Sequence, residues 1–243
     1  MHFDDRPDFY RRSRPPYPPD LWQRVRATGL VGPGRLALDL GAGTGQATGP
    51  LLAEGMEVVA VEPGGQLAVT LAATHPNAQL LTSRAEDVDL AESAFDLVVA
   101  ATSIHWMNLD VLLPKIQRWL KPGGRLLVWR NVFGGSSVAT TPFRAIVEEI
   151  VARRSTPART GNSEDANATS AKLTSTGLFS IDDICVYPWS IALSADQIRG
   201  LFSTFSDWSP EEVNEASEGA RSLGAQVVEH YTSWLIIASP TTK

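Results

Sequence analysis

Cysteine is nearly absent from this sequence, since Cys185 is the only one among 243 residues. A single thiol cannot form an intrachain disulfide, and it excludes zinc or iron–sulfur sites built from several cysteines, so we expect no metal centre. It also fits a reducing compartment, which predicts a cytoplasmic protein. No apolar run reaches the roughly 18 residues that a membrane-spanning helix requires. Residues 1–20 carry no apolar segment typical of a signal peptide, so we expect no membrane partner.

Positive charge is also in short supply, with 21 Lys and Arg residues against 27 Asp and Glu and a net charge of −6. This balance argues against a protein dedicated to nucleic acid, because phosphate backbones attract clustered positive charge. Residues 1–35 are the exception, with seven Arg and four Asp. Hydrophobic residues make up 43% of the chain and charged residues 20%, which is typical of an ordinary folded protein.

Short apolar runs alternate with helical patterns through the first half of the chain. Strands are predicted at 36–40, 57–62, 78–82, 95–100 and 125–130, and helices at 46–54, 66–74 and 109–120. Near-continuous apolar strands that are separated by helices indicate a parallel sheet covered on both faces. The sequence therefore predicts a doubly wound α/β fold.

Beyond residue 131 the regular alternation of predicted strands and helices ends. A helix is predicted at 143–154, a loop or mobile lid at 155–176, and strands at 183–190 and 230–238 with a helix at 195–205 between them. Ser194 is the expected N-cap of that helix. We expect one domain in four parts: an N-terminal arm and helix (1–34), a cofactor-binding core (35–131), a lid or substrate insertion (132–178), and C-terminal strands and helix (179–243).

The first predicted strand ends in the sequence Asp39-Leu40-Gly41-Ala42-Gly43-Thr44-Gly45. Glycines at a strand end allow a tight turn and the close approach of a ligand to the main chain. The dinucleotide fingerprint places its third glycine three residues after the second, but Gln46 stands there and the third glycine comes early. The Asp39 carboxylate suits a cationic ligand better than a pyrophosphate.

These features resemble the class I S-adenosylmethionine-dependent methyltransferases. Glu62 closes the second strand at the position of the family's ribose-binding acid, and residues 83–87 resemble its adenine-contacting stretch. The resemblance implies a Rossmann-like sheet of seven mostly parallel strands with the last strand antiparallel, and S-adenosylmethionine as cofactor. The cofactor-binding residues that it implies are Asp39, Gly41, Ala42, Gly43, Gly45, Glu62, Pro63, Ala85, Glu86 and Ala101, with Tyr10 and Arg14 of the arm.

A narrower resemblance is carried by Phe9-Tyr10, Arg14-Pro15, Tyr17-Pro18 and Ile104-His105-Trp106. These segments resemble the small-molecule branch of the methyltransferases, which includes the trans-aconitate methyltransferase type. This resemblance implies a small-molecule acceptor bound by His105, Trp106, Tyr17 and Phe133. His105 is the candidate general base, although alignment and exclusion of water supply much of the rate of a methyl transfer.

Three other functions stay open. A non-catalytic S-adenosylmethionine-binding protein would need the same cofactor residues. A nucleotide-dependent oxidoreductase uses a similar sheet, but Asp39 and the early Gly45 count against it. An RNA methyltransferase is disfavoured by the net charge of −6 and by the lack of a basic, aromatic RNA-reading module.

Overall fold

The chain folds around a seven-stranded sheet with the strand order β3-β2-β1-β4-β5-β7-β6. The computed structural model describes residues 13–133, 139–154, 165–205 and 207–241, so the predictions for Tyr10 lie outside the described residues. The strands are β1 (Leu36–Leu40), β2 (Glu57–Val61), β3 (Gln79–Leu81), β4 (Phe95–Ala101), β5 (Leu120–Phe133), β6 (Phe179–Leu193) and β7 (Val227–Pro240).

Strands β1 to β5 pair in parallel, and β7 runs antiparallel to both of its neighbours, β5 and β6. The prediction of a doubly wound, mostly parallel sheet with an inverted last strand is therefore confirmed. The order reverses between β1 and β4, and the carboxyl ends of the strands on either side of such a switch leave a crevice for a ligand.

Within the described ranges, helices flank the sheet on both faces. They are α1 (Pro19–Arg26), α2 (Thr48–Ala53), α3 (Gly65–Thr74), α4 (Leu109–Trp119), α5 (Pro142–Ala152), α6 (Ala166–Thr174), α7 (Ala195–Phe202) and α8 (Pro210–Leu223). Short 3-10 turns follow β3 at Ala85–Asp87 and β4 at Ile104–Trp106. No helix of the described ranges has the length and apolar character needed to cross a membrane.

The central strands are apolar on both faces because a different set of helices covers each face. Val98 of β4 packs in one buried cluster with Ile116 of α4, whereas the adjacent Leu97 packs in a second cluster with Leu21 of α1. Tyr17 belongs to the second cluster and is 7% exposed. The segment just before α1 is thus part of the core and brings its side chains to the sheet.

The prediction of a loop over 155–176 is wrong for residues 166–174, which form α6. Asp165 caps this helix by accepting hydrogen bonds from the backbone N–H groups of Asn167 and Ala168. Leu173 is fully buried in the same core cluster as α4. The helix is mostly small and polar, so its apolar stripe is too short to appear as a period in the sequence. Residues 155–164 lie outside the described residues.

Helix α8 was not predicted, although the sequence carries its start signal. Ser209 and Glu212 form a capping box, with Pro210 in the first turn, and this combination is typical of a helix N-terminus. Helices α5, α7 and α8 bury a common apolar cluster that includes Leu193 and Val227 at the adjoining ends of β6 and β7. These three helices, called the helical cap below, lie over the carboxyl-end edge of the sheet.

Candidate functional site

A cavity of about 530 Å³ opens at the carboxyl ends of the parallel strands. Its volume lies in the range of small-molecule sites. The predicted site residues that line it are Arg14, Tyr17, Gly41, Ala42, Gly43, Glu62, Pro63, Ala85, Glu86, Ala101, His105, Trp106 and Phe133. Asp39 and Gly45 do not line it.

The backbone of the glycine loop after β1 has a positive φ at Gly41, Gly43 and Gly45, a conformation that favours glycine. Gly41 has φ +66°, and a Cβ atom there would lie 2.6 Å from Cβ of Ser103. Ser103 cannot easily yield, because its Oγ donates a 2.6 Å hydrogen bond to the carbonyl of Leu40. Gly43 has φ +59° but faces open space, with no atom within 4 Å of a Cβ position. Gly41 therefore packs against the β4 loop, while Gly43 leaves room for a ligand.

Gly45 has a packing role in the structure. A Cβ atom at this position would lie 2.4 Å from the imidazole Cδ2 of His75, just after α3. The small residue lets this ring pack against the start of α2. Its predicted contact with a cofactor stays a prediction.

Glu62 connects the end of β2 to the glycine loop. One carboxylate oxygen accepts a hydrogen bond from the backbone N–H of Gly43 at 2.8 Å, and the other accepts one from Gly64 at 2.8 Å. The side chain is almost completely buried but lines the cavity. Both carboxylate oxygens are thereby held in place at the cavity wall, and a carboxylate accepts hydrogen bonds from hydroxyl groups.

Asp39 is fully buried at the end of β1. Its Oδ2 accepts a 2.6 Å hydrogen bond from the hydroxyl of Thr48, and its Oδ1 finds no partner in the part of the chain that the structure describes. Burial raises the pKa of Asp39 to about 7, with a further contribution from the charge of Glu62. A half-satisfied buried carboxyl so close to the loop favours a neighbouring cation.

Glu86 and Ala85 form the wall of the cavity beyond β3. The Glu86 carboxylate accepts a 2.7 Å hydrogen bond from the backbone N–H of Asn108, which is the N-cap of α4. The main-chain carbonyl of Glu86 accepts a 2.7 Å bond from Lys115. Glu86 thus holds the start of α4 against this wall through a hydrogen bond. It also lines the cavity.

His105 lies in the 3-10 turn after β4, with its Nδ1 3.1 Å from a guanidinium nitrogen of Arg130. A guanidinium can only donate, so Nδ1 accepts and the proton of the neutral ring is on Nε2. Burial, together with the smaller effects of the charges of Arg130 and Lys172, lowers the pKa of His105 to about 4. The ring is therefore neutral near pH 7 and offers an N–H donor. Its role as a general base stays a prediction.

Tyr17 contacts Thr102, the residue that directly follows β4. Their hydroxyls lie 2.9 Å apart, and Thr102 has φ +59°, a left-handed conformation that is uncommon outside glycine. Strained residues of this kind cluster at ligand sites. Trp106 lies at the rim with 58% of its surface exposed, as an open edge of the cavity would require.

Among the cavity-lining residues that sequence reasoning missed are Arg130, Asn131, Phe205 and Tyr231. Arg130 and Asn131 follow the buried run that ends at Trp129, and a switch from apolar to polar at a strand end was a signal that could have identified them. Tyr231 and Phe205 had no such signal, because only the antiparallel return of β7 and the placement of α7 bring them to this edge.

A sheet of this order with a glycine loop after β1 and an acid after β2 defines a class I methyltransferase fold. Residues 38–128 match the family described as "Methyltransferase domain". An uncharacterised methyltransferase of Mycobacterium tuberculosis is 40% identical over 123 residues, which cover 50% of this chain and 49% of that protein. The chain spans about half the length of the curated relatives that it matches at this identity.

Two solved structures extend the likeness to nearly the whole chain. A protein of Anaeromyxobacter dehalogenans described as a type II methyltransferase has a TM-score of 0.67 and 23% identity, covering 93% of this chain and 97% of its own. Geranyl diphosphate C-methyltransferase of Streptomyces coelicolor, solved with Mg²⁺, geranyl diphosphate and S-adenosyl-L-homocysteine, has a TM-score of 0.51 and 14% identity. That alignment covers 92% of this chain and 78% of the other.

Proposed function

We propose that this chain is an enzyme that transfers the methyl group of S-adenosylmethionine to a small-molecule acceptor. The observation that carries the proposal is a single cavity with two unlike sides. The glycine loop and Glu62 form a polar cofactor side, and His105 with the aromatic residues forms an acceptor side. The match of residues 38–128 to a methyltransferase domain supports the same reaction.

The cofactor side fits S-adenosylmethionine group by group. Glu62 would hold the two ribose hydroxyls, because its carboxylate accepts two bonds in one plane. The open space beside Gly43 would admit the cofactor close to the main chain, and Ala85 with Glu86 would flank the adenine. Asp39 does not line the cavity, so its carboxyl would favour the positively charged end of the cofactor through its charge and not through direct contact.

The acceptor side supplies orientation and exclusion of water. When bound, S-adenosylmethionine supplies a sulfonium methyl: the acceptor's lone pair bonds to the methyl carbon as the methyl–sulfur bond breaks and leaves its electron pair on sulfur. The Nε2–H of His105 would donate to the acceptor and hold it in line. Leu201, Phe205 and Asp207, at or beyond the end of α7, line the cavity from the helical cap, so the cap would keep water from the reacting atoms.

Membership of the small-molecule branch similar to the trans-aconitate methyltransferase type is also part of this proposal. Arg14, Tyr17, His105 and Trp106, which carry that resemblance, all line one cavity. We also propose the division into arm, core, insertion and C-terminal part, with one change: the C-terminal part contributes to the acceptor side. The acceptor side draws on Leu201, Phe205 and Asp207 as well as on the insertion. A cytoplasmic location stays a prediction.

Isothermal titration calorimetry tests the function directly. The wild-type protein should bind S-adenosylhomocysteine and show no binding of NADH at the same concentrations. NADH binding without S-adenosylhomocysteine binding would replace the proposal with an oxidoreductase. Product formation from S-adenosylmethionine with a panel of small acids, phenols and amines then separates an enzyme from a non-catalytic binding protein.

The substitution Glu62→Gln should weaken S-adenosylhomocysteine binding about tenfold to a hundredfold, because a lost hydrogen bond to a charged group costs about 1.5–3 kcal/mol. Calorimetry measures the dissociation constant, and circular dichroism shows whether the variant is folded. Glu57→Gln, at the exposed start of the same strand, is the matched control and should bind like the wild type. An unchanged dissociation constant in folded Glu62→Gln would refute the ribose assignment.

A further inference from the structure

The segment that carries His105 is fixed to the neighbouring strand β5. Just before the 3-10 turn of His105, the backbone N–H of Thr102 donates a 2.8 Å hydrogen bond to the carbonyl of Trp129. Trp129 is fully buried on β5, so this anchor belongs to the core. Because Arg130 directly follows Trp129, the core holds the backbone of Arg130 beside the segment that carries His105.

One edge of the His105 ring is occupied by Arg130. The Nη1 atom of the guanidinium lies 3.1 Å from Nδ1 of the imidazole. A guanidinium has donors only, so Nδ1 must offer its lone pair to this bond. If the ring were rotated by half a turn, a carbon atom would face the guanidinium and the bond would be lost. The contact with Arg130 therefore fixes both the orientation of the ring and the nitrogen that carries its proton.

The opposite edge of the same ring presents Nε2. His105 lines the cavity, and Nε2 has no hydrogen-bond partner in the described ranges and is not sealed from solvent. The indole ring of Trp106 packs against the imidazole, with the centroids 4.9 Å apart and the planes tilted by 43°. A ligand that reaches this edge of the ring meets an N–H group and not a lone pair.

Two positive charges act on the ring in the same direction as burial. Within the described ranges they belong to Arg130 of β5 and Lys172 of α6, and together with the larger effect of burial they lower the pKa of His105 to about 4. Arg130 adds a hydrogen bond to its charge. Lys172 is exposed and acts through its charge alone. Comparing the two residues therefore separates the effect of the bond from that of the charge.

We propose that Arg130 is a positioning residue that decides the part of His105 in the reaction: it holds the imidazole as an Nε2–H donor toward the methyl acceptor and prevents it from acting as the base. The lone pair of the acceptor forms the bond to the methyl carbon, the methyl–sulfur bond leaves its electron pair on sulfur, and His105 keeps its proton throughout. Any proton on the acceptor atom passes to water. The inference rests on the proposed function, because it assigns a part in the methyl transfer.

The test is ¹⁵N NMR of the protein labelled at histidine, because the shifts of the two ring nitrogens report which one carries the proton. The chain has four histidines, and the variant His105→Asn identifies the signals of His105. In the ligand-free wild type the Nε2–H form should exceed the Nδ1–H form about tenfold or more, the preference expected from a hydrogen bond with a charged donor. Saturation with S-adenosylhomocysteine should leave the proton on Nε2.

Two substitutions then separate the bond from the charge. Arg130→Met removes both, so the fraction of the Nδ1–H form should increase about tenfold and the pKa of His105 should rise from about 4 toward its ordinary 6.5. Lys172→Met is the matched control, since it removes a charge and no bond to the ring. It should raise the pKa by less and leave the proton on Nε2. Circular dichroism shows whether each variant is folded.

A proton on Nδ1 in the wild type, with or without S-adenosylhomocysteine, would overturn the inference, and this measurement does not depend on the folding of any variant. The wild-type tautomer ratio in folded Arg130→Met, or an equal change of that ratio in Lys172→Met, would overturn it as well. Failure of the wild type to bind S-adenosylhomocysteine in calorimetry would instead overturn the proposed function. The tautomer of the ligand-free protein is measured without the cofactor, so the two failures are distinguishable.

Discussion

Replacing Gly41 with alanine should lower the free energy of unfolding by about 2–5 kcal/mol. A left-handed backbone costs a non-glycine residue about 1–2 kcal/mol, and overpacking costs about 1–3 kcal/mol more. The overpacking arises because the new Cβ atom would lie 2.6 Å from Cβ of Ser103. Ser103 is held in place by its bond to the Leu40 carbonyl, so relief requires the β4 loop to move. Urea unfolding of the ligand-free protein measures the loss.

Gly43→Ala is the matched control for this prediction. Gly43 also has a positive φ, +59°, but a Cβ atom there meets nothing within 4 Å, so only about 1–2 kcal/mol of backbone cost is expected. Because the open space belongs to the cavity, the same change should weaken S-adenosylhomocysteine binding about tenfold or more. Equal destabilisation by the two substitutions would contradict the packing role of Gly41, and normal ligand binding by Gly43→Ala would contradict the ligand position.

The substitution Asp39→Asn should remove a pH dependence from the stability of the ligand-free protein. The folded-state pKa of Asp39, about 7, lies well above the ordinary value of 3.8 because the group is buried. A raised pKa means that the folded state holds its proton more tightly than the unfolded state. The associated stability is therefore complete below about pH 4 and is lost as the pH rises through about 7, by at most about 4 kcal/mol.

Asparagine does not titrate and can still accept the hydrogen bond from Thr48. The free energy of unfolding of Asp39→Asn minus that of the wild type should therefore increase between about pH 4 and pH 8. Taking the difference between the two proteins cancels His105, whose lowered pKa acts in the opposite sense and removes stability as the pH falls from about 6.5 to 4. Urea titrations at several pH values provide the measurement. A difference that is constant with pH would show that Asp39 titrates normally.

The first half of the fold could be predicted from the sequence because its strands are buried on both faces. Such strands appear as short continuous apolar runs, and β1 was predicted with its observed bounds, Leu36–Leu40. Predictions for the second half were poorer for a physical reason. Helix α6 is mostly polar, and α8 buries small residues such as Ala216 and Ala220, so neither leaves a strong apolar period.

The cofactor side of the cavity was determined largely by local chemistry. The left-handed turn at Gly41 favours glycine through the local backbone alone, and an acid at a strand end such as Glu62 lies at the carboxyl edge of any parallel sheet. Both therefore follow from sequence pattern and from the resemblance that it supports.

The acceptor side was decided by tertiary structure alone. Tyr231 reaches the cavity because β7 inserts antiparallel between β5 and β6, and Phe205 reaches it because the helical cap folds over the strand ends. The neutral state of His105 depends on burial and on Arg130, which is 25 residues away in the chain. Contacts between distant segments leave no local pattern, so the sequence determined the class of site, and the packing of the last two strands determined which side chains face the acceptor.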